Sequence, residues 1–322
     1  MTTATPKPVI LFWAGDPTAY RAAIERAGLA DRIEFHAAPM SAPPPADVFA
    51  RCEAMLAFRA APGVLPKAPR LRWIQALTAG VEGWLALPDL PESVALSCAR
   101  GTHRVQMPEN ILGALFHLTK PYMAAALDQR EHKWTRRVSS DIAGKTLGIL
   151  GLGAIGQELA RKAAVLEMRV IGTKRAPGPV PHVDRVYPPE GMAEVLGASD
   201  FVLLLLPVTA ETRGIVNAKT LALMKPSAYL LNFGRGDLIV DDDLIAAVKA
   251  RTIAGAVLDV FRTEPLPPEH PFWATEGILV LPHIGGNHPE RDLVVAELFA
   301  ENLRRFLEGQ PLLHAVDRQR GY

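Results

Sequence analysis

The stretch TLGILGLGAIG at residues 146–156 joins an apolar run to the pattern Gly-x-Gly-x-x-Gly. The apolar run is typical of a buried strand, and QELARKAAVL at residues 157–166 favours a helix. In a strand–turn–helix of this kind Gly151 permits the tight turn, Gly153 lets a pyrophosphate approach the backbone, and Gly156 allows close packing of helix on strand. The stretch therefore predicts a dinucleotide site, with the diphosphate at the positive end of the helix. A plain glycine-rich turn is the alternative, and the flanking strand and helix argue against it.

Composition limits the class of protein. A chain of 322 residues is long for one core and comfortable for two domains, and 49% apolar residues support a large interior. The 35 basic and 34 acidic residues give a net charge of +1, so neither nucleic acid nor an anionic membrane is expected as a partner. The two cysteines, Cys52 and Cys98, lack metal-ligand spacing. Neither a metal site nor a disulfide framework is expected, and a reducing compartment fits.

No targeting or membrane segment is evident in the sequence. Residues 1–8 lack the basic start and long apolar core of a secretory signal. The longest apolar run, residues 201–206, ends at Pro207 and is far too short to span a bilayer. These features predict a soluble, cytoplasmic protein.

Candidate strands alternate with helical stretches along most of the chain, which favours a parallel α/β architecture. The candidate strands are residues 9–13, 33–35, 54–58, 72–75, 146–150, 169–172, 201–206, 228–232, 255–260 and 278–281. The candidate helices are residues 17–27, 108–130, 157–166 and 290–308. Asp16 is the expected N-cap of the first helix, and Pro121 should kink or break the second. Proline-rich loops are expected from the end of the strand at residues 169–172 up to Gly191.

Several candidate strands are followed by residues that can carry chemistry. Arg235, Glu264 and His283 each come shortly after a different strand. Ligands bind outside the carboxyl ends of the strands in open α/β sheets, so these side chains would meet at one edge. Arginine offers a charged fork for a carboxylate, and histidine exchanges a proton near neutrality while a carboxylate holds its tautomer. Taken singly, each has a bland alternative: a surface arginine, a solvated loop glutamate, or a capping histidine with His103 and His288 as rivals.

In this ordered combination the chain resembles the D-isomer-specific 2-hydroxyacid dehydrogenases over nearly its whole length. The segments that carry the resemblance are the glycine motif, NFGRG at 232–236, LDVF at 258–261, EPLP at 264–267 and PHIGG at 282–286. In addition, TAGV at 78–81 resembles the substrate-carboxylate loop of the family.

The resemblance implies an α/β fold of two Rossmann-like or flavodoxin-like doubly wound parallel-sheet domains with a cleft between them. Residues 1–100 plus 288–322 would form a discontinuous substrate domain, and residues 101–287 would form the dinucleotide-binding Rossmann domain. It also implies a homodimer, commonly built through the cofactor domains.

The resemblance also implies roles for individual residues. Arg235 would bind the carboxylate of a 2-oxo acid, His283 would donate a proton to its carbonyl oxygen, and Glu264 would pair with His283. The backbone N–H groups of Ala79, Gly80 and Val81 would hold the same carboxylate. The implied cofactor-binding residues are Gly151, Gly153, Ala154, Ile155, Gly156, Thr173, Lys174, Arg175, Pro207 and Asp259, the last of them near the nicotinamide carboxamide.

The end of the second strand of the nucleotide unit bears on the choice of cofactor. An NAD-specific site usually places an acid there, on the ribose 2′-OH. This chain has Thr173-Lys174-Arg175 instead, and the two cations would attract a 2′-phosphate. The sequence therefore predicts a preference for NADPH. The alternative is a solvated basic turn in an enzyme that accepts both NADPH and NADH.

The resulting hypothesis is an NADP(H)-linked reductase of small 2-oxo acids, of the glyoxylate/hydroxypyruvate reductase type. The alternative from another class is a dinucleotide-sensing binding protein on the same scaffold, like the corepressors of the family. A formate dehydrogenase is disfavoured because that subgroup has glutamine in place of Glu264, and a phosphoglycerate dehydrogenase is a weaker alternative. Gly286-Asn287-His288-Pro289 departs from the small residues and threonine that often follow the histidine, so the identity of the substrate stays open.

Overall fold

The computed structural model describes residues 6–321 and separates the chain into two compact units. The five-stranded unit comprises Met1–Thr102 and His288–Tyr322, and the seven-stranded unit comprises His103–Asn287. The prediction of no secretory signal rests on residues 1–8, of which residues 1–5 lie outside the described part. Across residues 6–321, no helix has the length and apolar character needed to cross a bilayer.

Every strand of both sheets pairs in parallel with its neighbours, so the predicted fold class of two parallel-sheet α/β domains is confirmed. The strands are β1 (Val9–Ala14), β2 (Glu34–Pro39), β3 (Cys52–Ala57), β4 (Trp73–Ala76), β5 (Ala95–Ser97), β6 (Thr146–Leu150), β7 (Arg169–Thr173), β8 (Arg185–Tyr187), β9 (Phe201–Leu204), β10 (Tyr229–Asn232), β11 (Gly255–Leu258) and β12 (Ile278–Val280). The helices are α1 (Thr18–Arg26), α2 (Ala46–Arg51), α3 (Glu82–Leu85), α4 (Gln106–Thr119), α5 (Tyr122–Arg130), α6 (Ala154–Val165), α7 (Met192–Ala198), α8 (Ala218–Leu221), α9 (Asp241–Lys249) and α10 (Arg291–Leu307).

The five-stranded sheet has the order β2-β1-β3-β4-β5, which is the flavodoxin-like doubly wound order. Strand β1 is buried at all six residues, as a central parallel strand covered on both faces should be. Helix α10 completes this unit from the far end of the sequence. Its residues Val295, Phe299 and Leu303 recur every four positions and are all buried, and the ring of Phe299 stacks on Trp73 of β4 with centroids 5.5 Å apart. This shared apolar core explains why the unit is discontinuous in sequence.

The seven-stranded sheet has the order β12-β11-β10-β9-β6-β7-β8. Counted from β6, the chain first builds outward through β7 and β8, then returns to the other side of β6 with β9. The sheet therefore has the strand order of the Rossmann fold with one additional edge strand, and its topological switch point lies between β6 and β9. Ligands of such sheets bind outside the carboxyl ends of the strands at this point.

Some element boundaries differ from the prediction. Helix α6 begins at Ala154 and not at Gln157, because Gly153 is extended and the last glycine of the motif already lies in the first helical turn. Strand β8 lies within the stretch predicted to be proline-rich loops. It is an edge strand of only three residues, none of them fully buried, and therefore lacks an apolar run. The predicted long helix is broken into α4 and α5 with Pro121 at the break, as expected. The predicted N-cap Asp16 is one residue too early, because α1 begins at Thr18 and Pro17 is its N-cap residue; the Asp16 carboxylate still accepts the Thr18 N–H at 2.9 Å.

Candidate active site

The glycine turn after β6 has the geometry of a diphosphate cradle. Gly151 has φ +111°, and a Cβ there would lie 2.9 Å from the carbonyl oxygen of Leu205, directly across the switch point. A Cβ at Gly156 would lie 2.7 Å from the Gly151 oxygen, whereas one at Gly153 would meet nothing within 4 Å. The first N–H groups of α6 have no acceptor within the helix and open onto this space. The turn thus fits a dinucleotide diphosphate.

The basic turn after β7 lies at the end of its strand. Thr173 is buried, Lys174 is partly exposed and donates its N–H to the Tyr187 oxygen at 2.9 Å, and Arg175 is exposed. Glu211, which the sequence did not single out, lies within electrostatic range of this turn. The pKa of its carboxyl is lowered chiefly by a hydrogen bond from the Thr209 hydroxyl, and also by the charge of Arg175. The turn is therefore cationic but lies within electrostatic range of one carboxylate.

The loop after β9 carries Pro207 and Glu211. The carbonyl oxygen of Pro207 accepts a hydrogen bond from the Thr212 hydroxyl at 2.7 Å, and this bond closes the loop on itself. Nothing in the sequence pattern singled out Glu211, since a lone loop glutamate is usually a solvated charge.

His283 and Glu264 form a close pair. Nδ1 of His283 lies 2.6 Å from Oε2 of Glu264, and the other carboxylate oxygen accepts the Phe261 N–H at 2.9 Å. The imidazole therefore faces the carboxylate with Nδ1, which leaves Nε2 as the nitrogen for exchange with a ligand. The side chain of His283 is 52% exposed and its backbone is in the left-handed region at φ +53°. Non-glycine residues rarely adopt that conformation, and those that do cluster at functional sites.

Asp259 anchors the backbone that follows His283. It is buried, its Oδ1 accepts the Ile284 N–H at 2.8 Å, and its Oδ2 accepts the Gly285 N–H at 2.9 Å. Burial raises the pKa of the Asp259 carboxyl, and these two hydrogen bonds oppose that rise. A Cβ at Gly285 would lie 2.6 Å from Oδ2, so only glycine allows so close an approach. The proximity of Asp259 to a nicotinamide stays a prediction.

The Arg235 loop is held by an asparagine that the sequence argument did not single out. Asn232 ends β10, is fully buried, donates to the Arg235 carbonyl oxygen at 2.8 Å and accepts from the Gly234 N–H at 3.0 Å. A Cβ at Gly236 would lie only 2.0 Å from the Phe261 carbonyl carbon. The backbone after β10 therefore lies directly on the backbone after β11, which carries Glu264. The sequence feature that could have identified Asn232 is its position as a polar residue at the end of an otherwise apolar strand.

The five-stranded unit carries the loop at residues 78–81, which follows β4. The Thr78 hydroxyl donates to the Gly80 oxygen at 2.6 Å, and the Thr78 oxygen accepts the Ala99 N–H at 2.9 Å. Within residues 6–321, the backbone N–H groups of Ala79, Gly80 and Val81 donate no hydrogen bond. Successive backbone N–H groups without an acceptor are available to bind an anion.

A histidine–carboxylate pair alone does not identify a site. His36 lies 2.7 Å from Glu34, whose carboxylate also pairs with Arg51, and His36 belongs to an edge strand. Of the two rivals to His283, the ring of His103 packs against Gly286, and His288 belongs to the five-stranded unit, where its oxygen accepts the Arg291 N–H. His283 differs from these residues in following a strand of the Rossmann sheet and in directly preceding the two residues whose N–H groups Asp259 binds.

Comparison with known proteins gives a consistent result. The family model for the NAD-binding domain of D-isomer-specific 2-hydroxyacid dehydrogenases matches residues 112–285. Glyoxylate/hydroxypyruvate reductase A of Serratia proteamaculans is 33% identical over 274 residues, which cover 83% of this chain and 87% of that protein.

Two crystal structures share the fold over nearly the full length. A D-isomer-specific 2-hydroxyacid dehydrogenase of Xanthobacter autotrophicus, in complex with NADPH and MES, has a TM-score of 0.85 and 28% identity, covering 98% of this chain and 100% of that one. The NADPH-dependent glyoxylate/hydroxypyruvate reductase of Sinorhizobium meliloti, in complex with NADP and sulfate, has a TM-score of 0.82 and 31% identity with the same coverage. The fold and these matches define an NAD(P)-dependent oxidoreductase. The chain belongs to the D-isomer-specific 2-hydroxyacid dehydrogenase family, as the sequence resemblance predicted.

Proposed function

We propose that the protein reduces a small 2-oxo acid of the glyoxylate or hydroxypyruvate class to the corresponding 2-hydroxy acid, with NADPH as the preferred reductant. The observation that carries the proposal is the 2.6 Å contact between His283, which follows β12, and Glu264, which follows β11, in the same sheet that bears the glycine turn.

In this proposal each residue of the site has a distinct task. Nε2 of His283 donates a proton to the carbonyl oxygen of the substrate, and takes it back in the oxidative direction. Glu264 fixes the tautomer of the imidazole and stabilises its cation. Arg235 binds the substrate carboxylate through its fork and polarises the adjacent carbonyl. The bound nicotinamide supplies the hydride that reaches the carbonyl carbon.

The unbonded N–H groups of Ala79, Gly80 and Val81 are proposed to receive the substrate carboxylate. The support is that these N–H groups have no acceptor among residues 6–321, together with the partial exposure of Ala79 and Gly80. A carboxylate would satisfy these N–H groups with charge-assisted hydrogen bonds.

The proposed preference for NADPH rests on Lys174 and Arg175. A charge-assisted contact to a 2′-phosphate contributes about 1.5–3 kcal/mol, and less where the group is exposed. Glu211 acts in the opposite direction, because its carboxylate lies within range of Arg175 and would repel the phosphate. A net discrimination of about tenfold corresponds to about 1.4 kcal/mol and is consistent with these opposing contributions.

We also propose a homodimer in which α5 and the following segment are covered by the second copy. Helix α5 has no buried residue, although it carries large apolar side chains. Tyr122 is 75% exposed, and Met123 and Leu127 are also exposed. Trp134 and Val138 beyond it are 91% and 97% exposed. Large apolar side chains that are exposed and concentrated in one segment are typical of interaction surfaces. Sedimentation analysis of the wild type against Tyr122→Lys/Trp134→Lys should show a shift from dimer to monomer. The cytoplasmic location stays a prediction from the sequence.

The deciding experiment is a panel of 2-oxo acids assayed with NADPH and with NADH by nicotinamide absorbance. We expect turnover of glyoxylate or hydroxypyruvate with a higher kcat/KM for NADPH. His283→Asn should lose roughly 10²–10⁴-fold in kcat. The control is His182→Asn, since His182 is also a histidine with positive φ but is exposed in the loop before β8.

Each result has a definite meaning. Dinucleotide binding without turnover of any 2-oxo acid would replace the proposal with the binding-protein alternative. Faster turnover with NADH at equal concentration would end the proposed cofactor preference and leave the reductase assignment intact.

A further inference from the structure

The side chain of Arg291, at the first residue of α10, reaches the strand edge next to the 78–81 loop. Its Nη2 donates a hydrogen bond to the carbonyl oxygen of Leu77, the residue immediately before that loop. Its guanidinium carbon lies 4.9 Å from the centroid of the Phe58 ring, over the ring face. Nη1 pairs with the carboxylate of Asp292. The side chain is only 16% exposed, so it is held in place on several sides.

The place of these contacts in the sheet is informative. Phe58 directly follows β3 and Leu77 directly follows β4, and these two strands are neighbours. Arg291 therefore lies at the carboxyl edge of the five-stranded sheet, where open α/β sheets bind ligands. Desolvating a cation costs free energy, and an apolar side chain would pack on Phe58 without that cost. Packing alone therefore does not explain why a charged residue occupies position 291.

The 78–81 loop is attached to its surroundings at few points. Beyond the Leu77 carbonyl, the Thr78 oxygen accepts the Ala99 N–H, and the Val81 oxygen accepts the N–H groups of Trp84 and Leu85. The Leu77 carbonyl and the Thr78 N–H belong to one rigid peptide plane. A group that fixes this carbonyl therefore fixes the direction from which the loop starts.

We propose that Arg291 is a positioning residue for the binding of the substrate carboxylate. Through the Leu77 carbonyl it orients the N–H groups of Ala79, Gly80 and Val81, and its charge adds to the attraction of this loop for an anion. This inference rests on the proposed function only in naming a carboxylate as the ligand. The orientation of the loop by Arg291 is a separate claim about the protein without substrate.

The kinetic test uses Arg291→Met and Arg291→Lys with glyoxylate and NADPH. For Arg291→Met we expect KM for glyoxylate to rise about tenfold, with kcat and KM for NADPH close to wild type, because a 1.4 kcal/mol loss of ground-state binding is tenfold in affinity. Arg291→Lys keeps the charge but loses the planar fork of the guanidinium, so its KM for glyoxylate should lie between those of wild type and Arg291→Met. The matched control is Arg26→Met, since Arg26 pairs with Glu297 on the exposed side of α10.

A second measurement separates the failure of this inference from failure of the proposed function. Amide hydrogen exchange of Ala99, Trp84 and Leu85 reports on acceptors within the 78–81 loop, and needs no substrate. We expect faster exchange at these amides in Arg291→Met than in wild type or Arg26→Met. Unchanged exchange in the folded variant overturns the positioning role whether or not the wild type reduces a 2-oxo acid. Unchanged KM in an active enzyme, or a fall in kcat alone, overturns the carboxylate-binding role.

Discussion

The carboxylate of Glu264 bridges a backbone N–H of its own loop and the imidazole of His283. One carboxylate oxygen accepts the Phe261 N–H at 2.9 Å, and the other lies 2.6 Å from Nδ1 of the imidazole. The carboxylate is therefore oriented by a short loop rather than by a distant partner. His283 is oriented in turn from the opposite side, because Asp259 binds the two N–H groups that follow it. The proton-transfer group of the proposed reaction thus has both its ring and its backbone held.

Replacing Glu264 with glutamine should lower kcat for 2-oxo acid reduction by about 10²-fold, at the lower end of the range for general acid catalysis. The amide can still accept the Phe261 N–H, but a neutral group no longer stabilises an imidazolium. The measurement is kcat across the pH range in which the wild type is active, where kcat should be lower throughout. Glu269→Gln is the control, since Glu269 is exposed in the same connection. An unaltered profile for Glu264→Gln would contradict the role of this pair.

Gly236→Ala should destabilise the protein by about 1–3 kcal/mol, as overpacking of a tight contact does. Its Cβ would lie 2.0 Å from the Phe261 carbonyl carbon and 2.3 Å from the Arg262 nitrogen, and backbone atoms cannot rotate away. The relief available is separation of the Arg235 and Glu264 loops, so kcat should fall as well. Chemical denaturation and steady-state kinetics measure the two effects. Gly178→Ala, where a Cβ meets nothing within 4 Å, should leave both near wild type.

The buried carboxyl of Asp259 should impose a pH dependence on stability with a defined sign. Burial raises its pKa above the ordinary value, so the folded state holds the proton more tightly than the unfolded state does. The stabilisation is complete below the unfolded pKa and is lost as pH rises through the raised folded pKa. The free energy of unfolding of wild type relative to Asp259→Asn should therefore decrease as pH rises from about 4, near the reference pKa of aspartate. A difference that is flat or grows with pH would contradict this assignment.

Both cysteines should be inert in the folded protein. Burial raises the pKa of the Cys52 thiol to about 12, and burial also raises that of Cys98, with Arg100 acting in the opposite direction. The thiolate is the reactive form, and both side chains are buried and unpaired with each other. A chromogenic disulfide reagent should titrate no thiol in native protein and both thiols in denaturant. Rapid reaction of either thiol in the native state would show that the segment around it opens.

Much of the candidate site could be proposed from the sequence because its residues lie beside strong local patterns. The glycine turn follows an apolar strand, and Arg235 and His283 each follow another, so the rule that ligands bind at carboxyl ends of strands selected them. Asn232 and Glu211 were not selected. Asn232 acts by satisfying backbone groups around Arg235, and Glu211 acts by its distance from Arg175; neither relationship leaves a pattern in the sequence.

The boundaries of helices and strands likewise divide into those set by the local sequence and those set by tertiary contacts. The break at Pro121 is a local steric effect, since proline lacks the N–H and clashes with the preceding turn, and it was predictable. Strand β8 is three residues long and forms only because β7 offers it an open edge, with Ile171 opposite Arg185. Short edge strands depend on a partner that the local sequence does not specify.

By itself the sequence determined the class of fold, the glycine turn and the residue types available for proton transfer, because strand burial, helix initiation and turn geometry are set by near neighbours in the chain. Only the tertiary structure decided which of these residues meet. The contact of Glu264 with His283, the anchoring of residues 284 and 285 by Asp259, and the reach of Arg291 from α10 to Leu77 all join segments distant in sequence. Such contacts are set by how the sheets and helices pack around a shared apolar core.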